Sequence, residues 1–178
     1  MDMSLLLWVI LATLLFWAVG MYNRLMRLRA RSIEVLGVVK KHAAACAMLV
    51  NQYVEEPSNL SSQPDSSPWS GLHAKARQLE NLLAQYPSMP LQPDSVRALS
   101  TMWEALQSEW AELCEAPSDL AGSVVPSDMF DAWSAASLKV KSASGGYNQI
   151  AAQYNEAIQQ YPALWVAGLM GFHLAGSI

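Results

Sequence analysis

Leu5 to Met21 is a run of seventeen uncharged, mostly apolar residues, and Arg24, Arg27, Arg29 and Arg31 follow it at once. A helix rises about 1.5 Å per residue, so this run reaches about 26 Å, just short of the roughly 30 Å hydrocarbon core of a bilayer. Snorkelling arginines and local thinning of the lipid make up the difference. Trp17 and Tyr22 lie near the basic end, where aromatic rings favour the membrane–water interface. The run therefore reads as a transmembrane helix over residues 5–21. Its arginine flank holds the following chain in the cytoplasm and leaves residues 1–4 outside. Ala18-Val19-Gly20 is a passable cleavage pattern, but Met1-Asp2-Met3-Ser4 lacks the positive charge that opens a signal peptide. An uncleaved, single-pass anchor is the expectation.

The formal net charge of -4 conceals an asymmetry. Four of the eleven basic residues are the flanking arginines, and of the fifteen acidic residues only Asp2 precedes them. Residues 32–178 thus carry seven basic and fourteen acidic groups, and Asp94 to Asp131 holds eight carboxylates against Arg97 alone. Such a domain repels nucleic-acid phosphates, which argues against DNA or RNA as a partner. The arginine cluster is suited to anionic lipid headgroups. The two cysteines, Cys46 and Cys114, form no CxxC pair and read as reduced, small core residues.

Apolar residues recur at helical spacing in four segments. No proline occurs before Pro57, so the anchor is expected to continue as one helix to about Val54, with Leu36, Val39, Ala43, Cys46, Val50 and Tyr53 on one seam. A second seam runs through Leu72, Ala76, Leu79, Leu83 and Tyr86, after a start at Ser67-Pro68. A third, starting near Ser95, holds Leu99, Trp103, Leu106, Trp110 and Leu113. The fourth starts at Ser127 as N-cap. It is weakened at Gly145-Gly146 and continues through Tyr147, Ile150, Tyr154, Ile158 and Tyr161. Loops are expected near 55–67, 87–94 and 116–126, where proline, serine and glycine collect. No segment alternates with period two. Four single-striped helices bury their stripes only together. The expected fold is all-α: the N-terminal transmembrane helix continues into an antiparallel four-helix bundle over residues 22–162. That topology returns the uncharged tail, residues 163–178, toward the bilayer. Interfacial contact, packing on the bundle and a short second span are the three places open to it.

Several of these residues carry a resemblance. Tyr22-Asn23-Arg24-Leu25 directly after a membrane helix resembles the start of LemA family proteins. Tyr147-Asn148 and Tyr154-Asn155, then Tyr161-Pro162 and Gly171-Phe172, are similar to that family's YN, YN, FP and GF series. Gln85-Tyr86-Pro87 resembles its YP after the second helix. The first long helix departs from the family pattern, keeping only its apolar spacing and the Lys40-Lys41 pair, and Ala116 to Pro126 reads as an insertion. The resemblance implies a cytoplasmic helical bundle on one N-terminal anchor in the bacterial inner membrane. It implies no reaction.

The heptad step between the two Tyr-Asn pairs puts Tyr147 and Tyr154 on one face and Asn148 and Asn155 on its neighbour. The rings are expected to pack in the core while hydroxyls and amides bond across helices; a partner groove is the functional alternative. With Tyr161, these are the candidate partner-face or core-packing residues. His42 and Cys46 stand four apart, but no second such pair completes a zinc site. Glu104, Glu109, Glu112 and Glu115 lack the Glu-x-x-His motif of a di-iron bundle, and Glu112 and Glu115 with Asp119 read as a solvated face. No phosphate loop, GxSxG or HExxH is present. The expected role is non-enzymatic, with no cofactor and no small-molecule substrate: a tethered interaction or scaffold module for an unidentified protein, self-association included. The alternative is a lipid-surface protein that senses or remodels the bilayer through its anchor and tail.

Overall fold

The computed structural model describes residues 3–56, 68–85, 91–116, 124–161 and 163–178. Every regular element among them is a helix: α1 Met3–Glu55, α2 Ser70–Gln85, α3 Pro93–Glu115, α4 Ser127–Gln159 and the short α5 Ala163–Leu169. Tyr86, Ser67 and Asp119 lie outside the described residues, as do most of the expected loops.

Helix α1 is continuous over 53 residues, about 80 Å of axis. Only single glycines, Gly20 and Gly37, interrupt its run of helix-compatible side chains, and no proline does. Its N-terminal third is long and apolar enough to cross a membrane, and none of the most apolar window is buried in the protein. Burial begins where the apolar run ends. Met21 is partly covered, and Leu25 is the first fully buried residue. Below it Leu36, Val39, Ala43, Cys46 and Val50 are buried on the expected seam, with Tyr53 partly so. Helix α1 packs chiefly on α4 and then on α2; α2 packs on α3, and α5 touches both α4 and α1.

The end of the domain away from the apolar run is held by aromatic rings. Trp110 of α3 stacks on Trp133 of α4 at 4.5 Å between centroids, and Trp133 stacks on Trp103 at 6.2 Å. Trp69, just before α2, meets Trp110 edge-on at 6.3 Å and Tyr53 of α1 at 4.5 Å. Offset and edge-on pairs of this kind add to the stabilisation from burial alone. The connected rings tie together α1, the entry to α2, α3 and α4.

Several local expectations are corrected. Helix α3 starts at Pro93, two residues before Ser95, because proline's fixed φ suits the first helical position and its missing N–H is not needed there. Ser127 is the first residue inside α4 rather than its cap, and no side chain caps that end. Cys46 is a core residue, but Cys114 is exposed, because it falls beside the Leu106–Trp110–Leu113 stripe rather than on it.

Gly145 and Gly146 lie within the unbroken helix α4, and a Cβ at either would meet nothing within 4 Å. The pair thus confers no packing advantage while retaining the entropic cost of glycine in a helix. Replacing either with alanine is expected to raise stability by about 0.5–1 kcal/mol, read as a higher denaturation midpoint with an unchanged m-value. A loss of stability would show that the glycines serve a bend.

Candidate functional site

The two Tyr-Asn pairs of α4 do not bond across helices. They grip the backbone of the chain's own C-terminal segment. After α5 the chain reverses at Gly171, whose φ of 69° suits a residue without a Cβ. Residues 172–178 then run back along α4 without regular structure of their own. Asn155 is bidentate: its Nδ2 donates to the Ala175 carbonyl at 2.9 Å, and its Oδ1 accepts from the Ala175 N–H at 2.8 Å. Asn148 does the same at Ile178, at 2.6 and 2.9 Å. The Tyr154 hydroxyl donates to the His173 carbonyl at 3.0 Å, and the Tyr147 hydroxyl to the Gly176 carbonyl at 2.8 Å.

The geometry follows from two repeats. Seven helical residues rise about 10.5 Å, and three extended residues rise about 10 Å. A heptad of α4 therefore matches a three-residue step of the tail: His173 to Gly176 for the tyrosines, Ala175 to Ile178 for the asparagines. All six bonds go to main-chain atoms, so the ladder reads an extended backbone rather than side chains.

Tail side chains matter at one place. Gly176 N–H donates to the Leu91 carbonyl at 3.1 Å, bringing the tail against the start of α3. A Cβ on Gly176 would sit 2.9 Å from Pro93 Cα and 2.9 Å from Val96 Cβ. Only glycine fits that approach without a shift of α3 backbone.

Tyr147 and Tyr154 are fully buried as rings, which satisfies the core expectation for them, whereas Tyr161 is exposed and belongs to no core. Burial pushes the Tyr147 phenol up to about 12. Tyr154 is also raised by burial, with the nearby Arg29 charge opposing. An unfolded tyrosine ionises near 10. A raised folded pKa means that the stabilisation is complete below about pH 10 and is lost as pH climbs toward 12. The domain is expected to lose stability steeply across that window, and Tyr147→Phe to flatten the loss. An identical alkaline profile in the variant would place the titration elsewhere.

The arginines that follow the apolar run sit against the same C-terminal end of α4, on turns that also carry Tyr154 and Asn155. All four arginines are exposed. Arg24, Arg27 and Arg31 line a cleft of about 610 Å³ against Gln153 and Glu156 of α4 and Gln160 at its C-cap. Arg29 is not part of that cleft, and its charge acts on the Tyr154 phenol. Tyr22 packs edge-on against Phe172 at 6.0 Å, which fixes the tail turn beside the exit of the apolar run. Trp17 is exposed. Beside that turn, α5 buries only Ala163 and Ala167 and exposes Leu164, Trp165 and Leu169, followed by exposed Met170.

Glu104, Glu112 and Glu115 are exposed, and Glu109 is half-buried over Gly71. Among the described residues no group of three or more His, Cys, Asp or Glu side chains converges as a metal-holding cluster. The tail's role in the site was missed from sequence. The available signal was the seven-residue spacing of the two Tyr-Asn pairs, whose helical rise matches three extended residues. No protein-family model matches the chain, and neither curated proteins nor solved structures include a match.

Proposed function

We propose that this is a non-enzymatic, membrane-tethered interaction module of LemA-like type, working at the bacterial inner membrane. In this reading α1 crosses the bilayer once with its N-terminus outside. Helices α1 to α4 form an antiparallel four-helix bundle in the cytoplasm, and the partner is another protein, which includes a second copy of this chain. One observation carries the reading: an exposed apolar stretch passes without a break into a packed domain whose part-buried polar array, the Tyr-Asn ladder, holds a peptide backbone. Pairings along α1 and α4 support the antiparallel course. The Asp128 charge acts on Tyr53, Lys139 acts on Cys46, and Arg29 acts on Tyr154.

Cys114 supplies a topology test without mutation. Burial raises the Cys46 thiol to about 11 and shields it, whereas Cys114 is exposed. A membrane-impermeant maleimide is expected to leave intact cells unlabelled and to modify Cys114 once the membrane is opened. Labelling of intact cells would overturn the cytoplasmic placement.

A second reading, a lipid-surface protein, is favoured by α5. Its exposed Leu164, Trp165 and Leu169 lie beside the Tyr22–Phe172 contact, at the end of the domain where the apolar run leaves it. Photocrosslinkers at Tyr161 and Trp165 in cells separate the two. Protein adducts support the interaction module. Adducts to lipid alone favour the surface reading.

A further inference from the structure

The cleft between α1 and α4 has a composition at odds with the domain around it. Arg24, Arg27 and Arg31 are spaced three and four apart and share one face of α1. The facing stretch of α4, with its C-cap, contributes two glutamines and a single carboxylate, Glu156, whose Oε1 already accepts from Gln160 Nε2 at 3.0 Å. The Arg77–Glu55 and Arg97–Asp94 ion pairs both lie away from this cleft. Three guanidiniums are thus gathered without a matching set of carboxylates, in a chain whose remaining residues are strongly acidic. Leu28 and the buried Ala157 give the cleft an apolar side. Guanidinium forks match the paired oxygens of a phosphate, and arginine is more weakly hydrated than lysine, which suits a partly enclosed site.

Its depth is equally specific. Arg24 lies about 4.5 Å and Arg31 about 15 Å along the helix from Met21, the last residue of the apolar run. The headgroup layer of each leaflet is roughly 5–8 Å thick, so the upper part of the cleft falls within it. The exposed apolar side chains of α5 lie at the same end of the domain, where acyl chains would begin.

We propose that this cleft is a binding site for the phosphate group of one anionic glycerophospholipid, held by Arg24, Arg27 and Arg31 with Gln153 and Gln160 as further polar partners. The inference rests on the reading of α1 as a membrane span. It goes beyond a diffuse attraction between basic residues and lipid because it assigns the contact to one face of α1 and to a wall of α4.

Arg29 provides the control. It carries the same charge at nearly the same depth but lies outside the cleft. The full-length protein is placed in phosphatidylcholine nanodiscs containing phosphatidylglycerol, and retained lipid is counted by native mass spectrometry after extraction. The wild-type chain is expected to keep one phosphatidylglycerol. Arg27→Gln is expected to weaken retention about tenfold, the effect of losing one charge-assisted contact, and Arg29→Gln less than about twofold. Equal losses in the two variants would overturn the proposal in favour of a diffuse surface potential. Displacement of the lipid by millimolar inorganic phosphate would overturn the lipid as the source of the phosphate. A chain that enters nanodiscs but shows no lipid preference refutes the cleft alone. A chain that fails to enter them refutes the membrane span.

Discussion

Alanine at both Asn148 and Asn155 is expected to free residues 172–178 from α4 while leaving the helical core folded. The double substitution removes four hydrogen bonds, two at Ala175 and two at Ile178. Each such bond contributes about 1 kcal/mol net, so the segment loses roughly 4 kcal/mol of attachment. The two tyrosine hydroxyl bonds and the Gly176–Leu91 bond remain, with modest burial beside them. In the tail only Ala175 is fully buried, while Phe172, Gly176 and Ile178 are partly so. The opening is therefore local rather than global. Amide exchange at Ala175 and Ile178 should quicken at least about a hundredfold, with amides of α1 and α3 unchanged. Slow exchange at Ala175 in the double variant would mean that the tyrosine hydroxyls and side-chain packing, not the asparagines, hold the segment. Asn155→Asp separates the two halves of the contact. A carboxylate still accepts from the Ala175 N–H but cannot donate to its carbonyl, so an intermediate rate is expected.

Trp133→Ala is expected to be the most damaging single change in the bundle, at about 3–5 kcal/mol. Trp133 is buried, and it is the ring on which both Trp103 and Trp110 stack. Its removal leaves a cavity between α3 and α4 and also loses two aromatic pairs, each contributing about 0.5–1.5 kcal/mol beyond its area. Chemical denaturation followed by far-UV circular dichroism measures the loss. Trp133→Phe keeps a ring in place and should cost much less. A loss under 1 kcal/mol for the alanine variant would show that α3 is held to α4 by something other than these rings.

The helices were legible in sequence because each carries one apolar stripe at helical spacing. Leu99, Trp103, Leu106, Trp110 and Leu113 are all buried, as are Leu36, Val39, Ala43, Cys46 and Val50. Periodicity says which face is apolar, not which neighbour covers it. Trp69 and Trp133 were therefore overlooked, although they complete the aromatic cluster. The Tyr-Asn positions were legible as a shared face, but their partner was not. An extended backbone has no periodicity of its own to announce it, and an uncharged tail suggests lipid as readily as protein. The arginines were legible as a basic flank. Their division into three that share a cleft and one outside it depends on where α4 lies, and the helical spacing of α1 does not encode that.

The near-equality of a heptad and three extended residues has a further effect on the tail. A strand held only by such a ladder has degenerate positions: moved by three residues, it would meet the same tyrosines and asparagines with the same main-chain atoms. Slid one step, the tail would place His173 where Gly176 now lies, and its side chain would run into Pro93 and Val96. The polar contacts thus supply adhesion at several alignments, and one missing Cβ selects among them. Affinity and register are set by different residues on different helices, so either can change in evolution without the other.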